Sequence, residues 1–332
     1  MKIYEKTKEF IKNYYKIIIL YTIIILFFVI KLPYYISAPG GLIDTSKKVV
    51  SDEKFKLKGS LNMAYVSEMH ATIPTYIWSK INKDWDAEKE EKVKVGKEKM
   101  ADLEYRNKML LKESNKIAEL VAYKYSNIDY EIINNKVYIT YVDDKSNTDL
   151  KVKDQIIKVD GIKVVNKSHL HSYLKSKNIG DKINFTISKN KKIIDKSATL
   201  INVENEPKVG VLITEDFDIK SNKNISFKFK GSESGPSGGL MIALTIYSNI
   251  NKMDITKGKK IAGTGTIDID GTVGEISGVK YKLMGAVKNK AQIFLVPKGK
   301  NYKEAKKIKK EKNYNIELVP IETFEEALKK LK

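Results

Sequence analysis

An α+β fold carried behind one membrane-spanning N-terminal helix is what this sequence predicts, on three observations. A single strongly apolar run sits near the N-terminus, at residues 17–30. Between residues 128 and 200, apolar and polar residues alternate in short stretches broken by turn signals, the period of strands. After residue 237 a long apolar helix-like run gives way to short strands and further helical stretches, a mixed α/β pattern.

The first element is the span. The run IIILYTIIILFFVI has 14 residues, short for a bilayer. Its flanks lengthen it: Tyr14 and Tyr15 precede it, and Leu32, Pro33, Tyr34, Tyr35 and Ile36 follow. Lys16 and Lys31 can snorkel to the two interfaces, where the tyrosines also belong. Residues 14–36 then form a transmembrane anchor. Lys2, Lys6, Lys8, Lys12 and Lys16 outweigh Glu5 and Glu9 before it. The positive-inside bias puts residues 1–13 in the cytoplasm and the rest outside. A cleaved signal peptide is the rival reading, but Ser37-Ala38 followed by Pro39 is a poor cleavage site.

Residues 37–127 read as a linker, one early strand and a helical segment. Ala38-Pro39-Gly40-Gly41 reads as a rigid turn leaving the membrane. Residues 59–67 alternate at Leu61, Met63 and Tyr65. Trp78, Ile81 and Trp85 fall on a helical stripe and read as packing residues. Leu103, Leu110, Ile117 and Val121 give a helix with one buried face. Next, VYITYV is a strand, and Asp160-Gly161 between apolar stretches is a hairpin turn. Residues 167–175 form a short helix with Leu170 and Leu174. INFTIS alternates again at Ile183, Phe185 and Ile187. Near the end, residues 316–319 read as a strand, and Thr323 with Glu326 as a capping box for a last helix.

Composition narrows the chemistry. The chain has 332 residues, 42% hydrophobic and 31% charged, which suits two or three globular units. Its net charge of +20 comes mostly from lysines spread thinly among Glu and Asp. That reads as a solvated surface. No zinc-finger spacing or RNA-binding aromatic pattern is present, so no nucleic-acid partner is expected. There is no cysteine, which removes disulfides, thiolate nucleophiles and Cys-based zinc sites. His70, His169 and His171 are too scattered for a metal site. No metal and no cofactor are expected.

Two stretches carry chemistry. In Gly235-Pro236-Ser237-Gly238-Gly239-Leu240, glycines surround one serine and an apolar helical run begins. Glycine permits unusual dihedrals, and a serine at a helix start lies near free N–H groups, which a developing oxyanion needs. Alone, this motif is more often a turn with an N-cap. The second stretch runs from Gly263-Thr264-Gly265 to Ser277-Gly278-Val279-Lys280-Tyr281-Lys282. It reads as a strand, a glycine-centred hairpin and a helix holding two lysines.

Together these stretches resemble the proteolytic domain of the Lon family. The matching residues are Pro236-Ser237-Gly238-Gly239, Ser277-Gly278-Val279-Lys280-Tyr281-Lys282, and Phe294-Leu295-Val296-Pro297 after them. The resemblance covers about residue 208 to the end. It implies a Ser-Lys dyad with Ser237 as nucleophile and Lys280 as general base. Thr264 matches a threonine beside the dyad lysine, and Gly235, Pro236 and Gly238 would support the serine. N–H groups near Gly235 and Ser237 are oxyanion donors by analogy. The sequence departs from the family at Ser277, where the motif has glycine, and at Ser234, where ATP-dependent members have an acid. The physical requirement is plain: serine needs a base, and a lysine serves only as a neutral amine, which burial favours.

Residues 128–200 resemble a PDZ domain, through 150–157, Val159-Asp160-Gly161, the helix near Leu170, and Gly180-Asp181. No Gly-Leu-Gly-Phe-like loop precedes VYITYV; the nearest residues are Ile133-Asn134-Asn135-Lys136. No Gly-x-x-x-x-Gly-Lys-(Ser/Thr) motif occurs either.

The layout resembles bacterial Lon-like proteases with a PDZ domain and a membrane anchor. It implies an ATP-independent serine endopeptidase on the cytoplasmic membrane of a Gram-positive bacterium. Peptides or proteins would be its substrates, and a homo-oligomer is implied, since Lon-type domains often form rings. The PDZ domain (128–200) is inserted in or precedes the Lon-type α/β domain (201–332), and residues 59–67 join the latter. The alternative is a PDZ-centred membrane scaffold with a degenerate Lon-like domain, which would bind peptides without turnover.

Overall fold

A computed structural model describes residues 2–52 and 55–332. It divides into a smaller unit, residues 2–39 and 66–93, and a larger one, residues 40–65 and 94–332.

The smaller unit holds helix α1 (Lys2–Val29). Its apolar part is long and hydrophobic enough to cross a membrane, with mean hydropathy 1.6, and none of that window is buried by the chain. The helix stops earlier than the expected span of 14–36, because strand β1 (Lys31–Asp44) begins two residues after Val29. Pro33 explains the stop: it lacks an N–H, and it biases the residue before it towards extended backbone. Residues 34–37 pair antiparallel with the strand Asp86–Lys89. Ile36 is fully buried, so the apolar residues after the helix pack in protein. The helix Ile73–Ile81 carries a capping box at Thr72. Trp78 and Ile81 on it, expected to pack, are 49% and 69% exposed.

The expected turn at 38–41 is also corrected, since those residues lie inside β1. Close approach explains their glycines. In the larger unit, a Cβ on Gly40 would strike the Tyr65 carbonyl, and one on Gly41 would sit 3.1 Å from the Tyr65 hydroxyl. Strand β2 (Ser60–Thr72) covers the expected strand at 59–67 and runs beyond it.

Two large sheets organise the larger unit. One contains the long strand β3 (Tyr130–Val142), which covers VYITYV, with the strands Gln155–Val159, Lys182–Lys189 and Lys192–Thr199 beyond it. Asp160 and Gly161 both take positive φ, +45° and +81°, and make the tight hairpin to Ile162–Lys163. Helix α2 (Met100–Tyr125) precedes β3, and helix α3 (Lys167–Lys175) is capped by Asn166, which accepts from the His169 N–H. Val137, Ile139, Ile156, Leu170, Phe185 and Ile187 form the core. The edge strand is β4 (Val211–Ser221), antiparallel to β3. Residues 133–136 lie within β3 rather than in a loop. The edge follows Gly210, whose φ is +78°, from a stretch that the sequence division at 200 assigns to the catalytic part.

Asp154 anchors this sheet. It is fully buried, and Lys196 and Lys189 reach its carboxylate at 2.6 and 3.1 Å. Burial alone would raise its pKa, but hydrogen bonds from Lys196, the Lys151 N–H and Lys189 outweigh that and hold it below the usual range. Its stabilisation is therefore complete above the unfolded-state pKa and disappears as pH falls through the lower folded value. Asp154→Asn should cost about 3 kcal/mol at neutral pH by leaving Lys196 uncompensated. Opening free energies from hydrogen exchange at Ile156 and Ile187 check this. The two proteins should converge in strong acid; a constant difference at all pH values contradicts the ion-pair account.

The other sheet runs β5 (Lys260–Gly263), β6 (Ile293–Pro297) and β7 (Glu317–Ile321), in the order β7-β6-β5-β2. Neighbours here are parallel. Successive residues face opposite sides. Leu61, Met63, Ile261, Ile293 and Leu295 meet helix α4 (Gly239–Asn251). Ala64, Ala262, Phe294 and Val296 meet helices α5 (Val279–Lys288) and α6 (Lys300–Glu311). Helix α4 is buried all round, between the sheet and α2 with the last helix, α7 (Phe324–Leu331).

Candidate active site

Helix α4 leads into β5 and runs back along it, so its N-terminus lies at the carboxyl end of the parallel strands. Two hydrogen bonds fix this: the Gly265 N–H donates to the Ser237 carbonyl at 2.8 Å, and the Leu240 N–H to the Gly265 carbonyl at 3.2 Å. The Thr264 N–H donates to Leu295 on β6. Helix α5 crosses from β5 to β6 on the opposite face, so its N-terminus lies at the same edge. Asn301, 5% exposed at the start of α6, holds the entering loop by bonding both the N–H and the carbonyl of Ile276 at 2.8 Å. Ser237 and Lys280 thus share one sheet edge while their helices pack on opposite faces. The carboxyl end of parallel strands is where α/β sheets bind ligands.

Ser237 is half-buried and stands just before α4. The Thr264 hydroxyl, fully buried, donates to the Ser237 carbonyl at 3.1 Å. It therefore holds the backbone of the serine. Gly235 has φ +88° and donates its N–H to the Asn107 carbonyl at 3.0 Å. That N–H is engaged and is withdrawn as an oxyanion donor. The Pro236 carbonyl accepts from the Ser114 hydroxyl at 3.0 Å and from the Gly239 N–H at 3.2 Å. Gly238 is the N-cap, and a Cβ there would meet Met63 Sδ at 2.8 Å. Among the described residues, no hydrogen bond uses the Ser237 or Gly238 N–H.

Lys280 lies in the first turn of α5, after Gly278, whose φ is +71°. It is half-buried, with Nζ 5.2 Å from the Tyr281 ring centre. The second motif lysine, Lys282, is deeper, at 5% exposed.

Asn107 and Ser114 on α2 were not singled out from the sequence. The available signal was their spacing: they stand fourteen and seven residues before fully buried Val121, on its stripe. Among the described residues, no group of three or more His, Asp or Glu could hold a metal ion. A cavity of about 370 Å³ lined by Lys97, Lys99, Asp102, Lys151 and Lys189 contains neither Ser237 nor Lys280.

Comparison with known families decides what kind of edge this is. Residues 228–332 match the Lon protease (S16) C-terminal proteolytic domain. The chain carries a Lon-type proteolytic domain. Residues 119–200 match the PDZ domain. Among curated relatives, the Lon protease of Neorickettsia sennetsu is 34% identical over 97 residues, 29% of this chain and 11% of its own. That of Campylobacter jejuni is 29% identical over 184 residues, 53% of this chain and 22% of its own. Lon protease 2 of Bacillus subtilis is 33% identical over 110 residues, 32% of this chain and 19% of its own. The chain thus spans between a tenth and a quarter of the length of these relatives. A solved PDZ domain of an SdrC-like protein from Listeria innocua is similar, at 24% identity and TM-score 0.23, covering 24% of this chain and 92% of its own.

Proposed function

We propose that this chain is a membrane-anchored, ATP-independent serine endopeptidase that cleaves extracytoplasmic peptides or proteins. What supports the reading is the Lon-type match over residues 228–332, with the Ser237 and Lys280 motifs at the same end of its parallel strands. Lys280 Nζ takes the proton of Ser237 Oγ as the oxygen attacks the substrate carbonyl carbon. The tetrahedral oxyanion is received by the Ser237 and Gly238 N–H groups at the positive end of α4. The C–N bond then breaks, and the leaving amine takes its proton from the Lys280 ammonium. Water, deprotonated by Lys280, hydrolyses the acyl-enzyme and releases Ser237. The PDZ domain contributes substrate selection, with β4 as the edge strand to which an extended peptide would pair. Helix α1 supplies the anchor, and the lysines ahead of its apolar run put the catalytic domain outside.

The test uses the full chain in detergent micelles with an unfolded polypeptide and no nucleotide. Internal cleavage products are expected by mass spectrometry, and added ATP should not change their rate. Protease shaving of intact cells should remove residues 40–332. Cleavage that depends on ATP, or protection of those residues, would contradict the reading.

A further inference from the structure

Helix α2 touches two things at once, and neither the Lon-type nor the PDZ match assigns it a role there. On one face, Asn107 accepts from the Gly235 N–H, and Ser114, two turns later, donates to the Pro236 carbonyl. Those are the two residues before the nucleophile. On the adjoining face, about 100° round the helix, stands Glu113, a carboxylate only 6% exposed. Its Oε1 accepts from the Glu215 backbone N–H on β4 and from Lys167 Nζ on α3, each at 2.9 Å. Glu215 in turn accepts from the Lys167 N–H at 2.7 Å and from Asn135 on β3 at 3.0 Å.

We propose that Glu113 and Ser114 are positioning residues that couple strand β4 and helix α3 of the PDZ domain to the Ser237 loop. The inference rests on the peptidase reading for its kinetic consequence, and on geometry alone for its structural one. A buried carboxylate is held in place by its partners, and its neighbour on a stiff helix moves with it. Edge N–H groups are what a strand-adding peptide would use. Glu113 occupies one of them, so a peptide pairing at residue 215 must displace it and shift Ser114. Movement of about 1 Å at a nucleophile can change rates about a hundredfold.

The test compares the wild-type full chain with Glu113→Ala, Glu113→Gln and Ser114→Ala. Glu113→Ala should lower kcat about a hundredfold with KM within about twofold. Glu113→Gln still accepts from the Glu215 N–H and should restore most of kcat, because the Lys167 side chain is 42% exposed and water compensates much of the lost pairing. Ser114→Ala should reproduce the kcat loss without disturbing β4. Hydrogen exchange supplies a readout independent of activity. In Glu113→Ala, exchange should quicken at Glu215 and also at Gly235, Gly239 and Leu240. Quickening at Glu215 alone, with kcat unchanged, overturns the coupling. A wild type without any peptidase activity would refute the proposed function, and exchange at Gly235 would still decide the coupling.

Discussion

Ser237→Ala is expected to abolish peptide cleavage, and Lys280→Ala to do the same, each lowering kcat by roughly 10⁴-fold or more. The serine variant removes a single oxygen from a half-buried side chain. The bonds that place its backbone run from Gly265 and Thr264 to its carbonyl and survive the change. The thermal midpoint should therefore stay put while activity vanishes, which separates chemistry from folding. Lys280 sits in the first turn of α5 with a half-buried side chain, so its truncation also leaves the core intact. The control is Lys282→Met. That side chain is buried on the same helix, two residues on, and points elsewhere. It should lower stability and leave kcat of the folded fraction within about threefold. Double replacement of Ser237 and Lys280 should cost no more than either alone, because residues acting as one unit are not additive. Residual turnover in Ser237→Ala, or equal losses in the two lysine variants, would remove the dyad assignment.

Much of this arrangement was legible in the sequence, for definable reasons. Period-2 alternation located the strand around Phe185, because Ile183, Phe185 and Ile187 face the core while Lys182 and Asn184 face solvent. Asp160-Gly161 located its hairpin because few residue pairs accept two successive positive φ values. The serine and lysine motifs stood out as a pair because glycines and a proline surround the two candidate residues at the spacing of the Lon resemblance. Four features were hidden by their tertiary origin. The apolar residues from Leu32 to Ile36 continue the hydropathy of the span, yet Pro33 and a partner strand more than fifty residues later turn them into β1. Gly40 and Gly41 read as a turn, but Tyr65, the residue that excludes a side chain there, is a distant one. The oxyanion assignment at Gly235 failed because Asn107 lies 128 positions earlier. Strand β4 was not foreseen as the partner of β3, because it returns to that sheet from beyond residue 200.

Gly239→Ala is expected to be the most damaging single-atom change in the nucleophile loop outside the dyad. A Cβ at 239 would lie 2.8 Å from Ser114 Oγ and 2.9 Å from Ile267 Cγ2. Neither neighbour can give way freely. Ser114 is held by its bond to the Pro236 carbonyl, and Ile267 is β-branched and 3% exposed. Alanine gains up to about 1 kcal/mol in helix propensity. Overpacking of a filled core costs about 1–3 kcal/mol. The balance is a net loss of stability near 1 kcal/mol, with the larger effect on rate. If Ser114 is pushed off Pro236, the serine loop shifts, and kcat should fall about a hundredfold. Gly238→Ala is the matched comparison. Its φ of −95° suits any residue, and its Cβ would meet only Met63 Sδ, the end of a flexible side chain. That variant should keep kcat within about threefold. Steady-state kinetics on the two variants, with their thermal midpoints, checks the argument. Equal activity would mean that α2 tolerates displacement at Ser114 and does not govern the nucleophile.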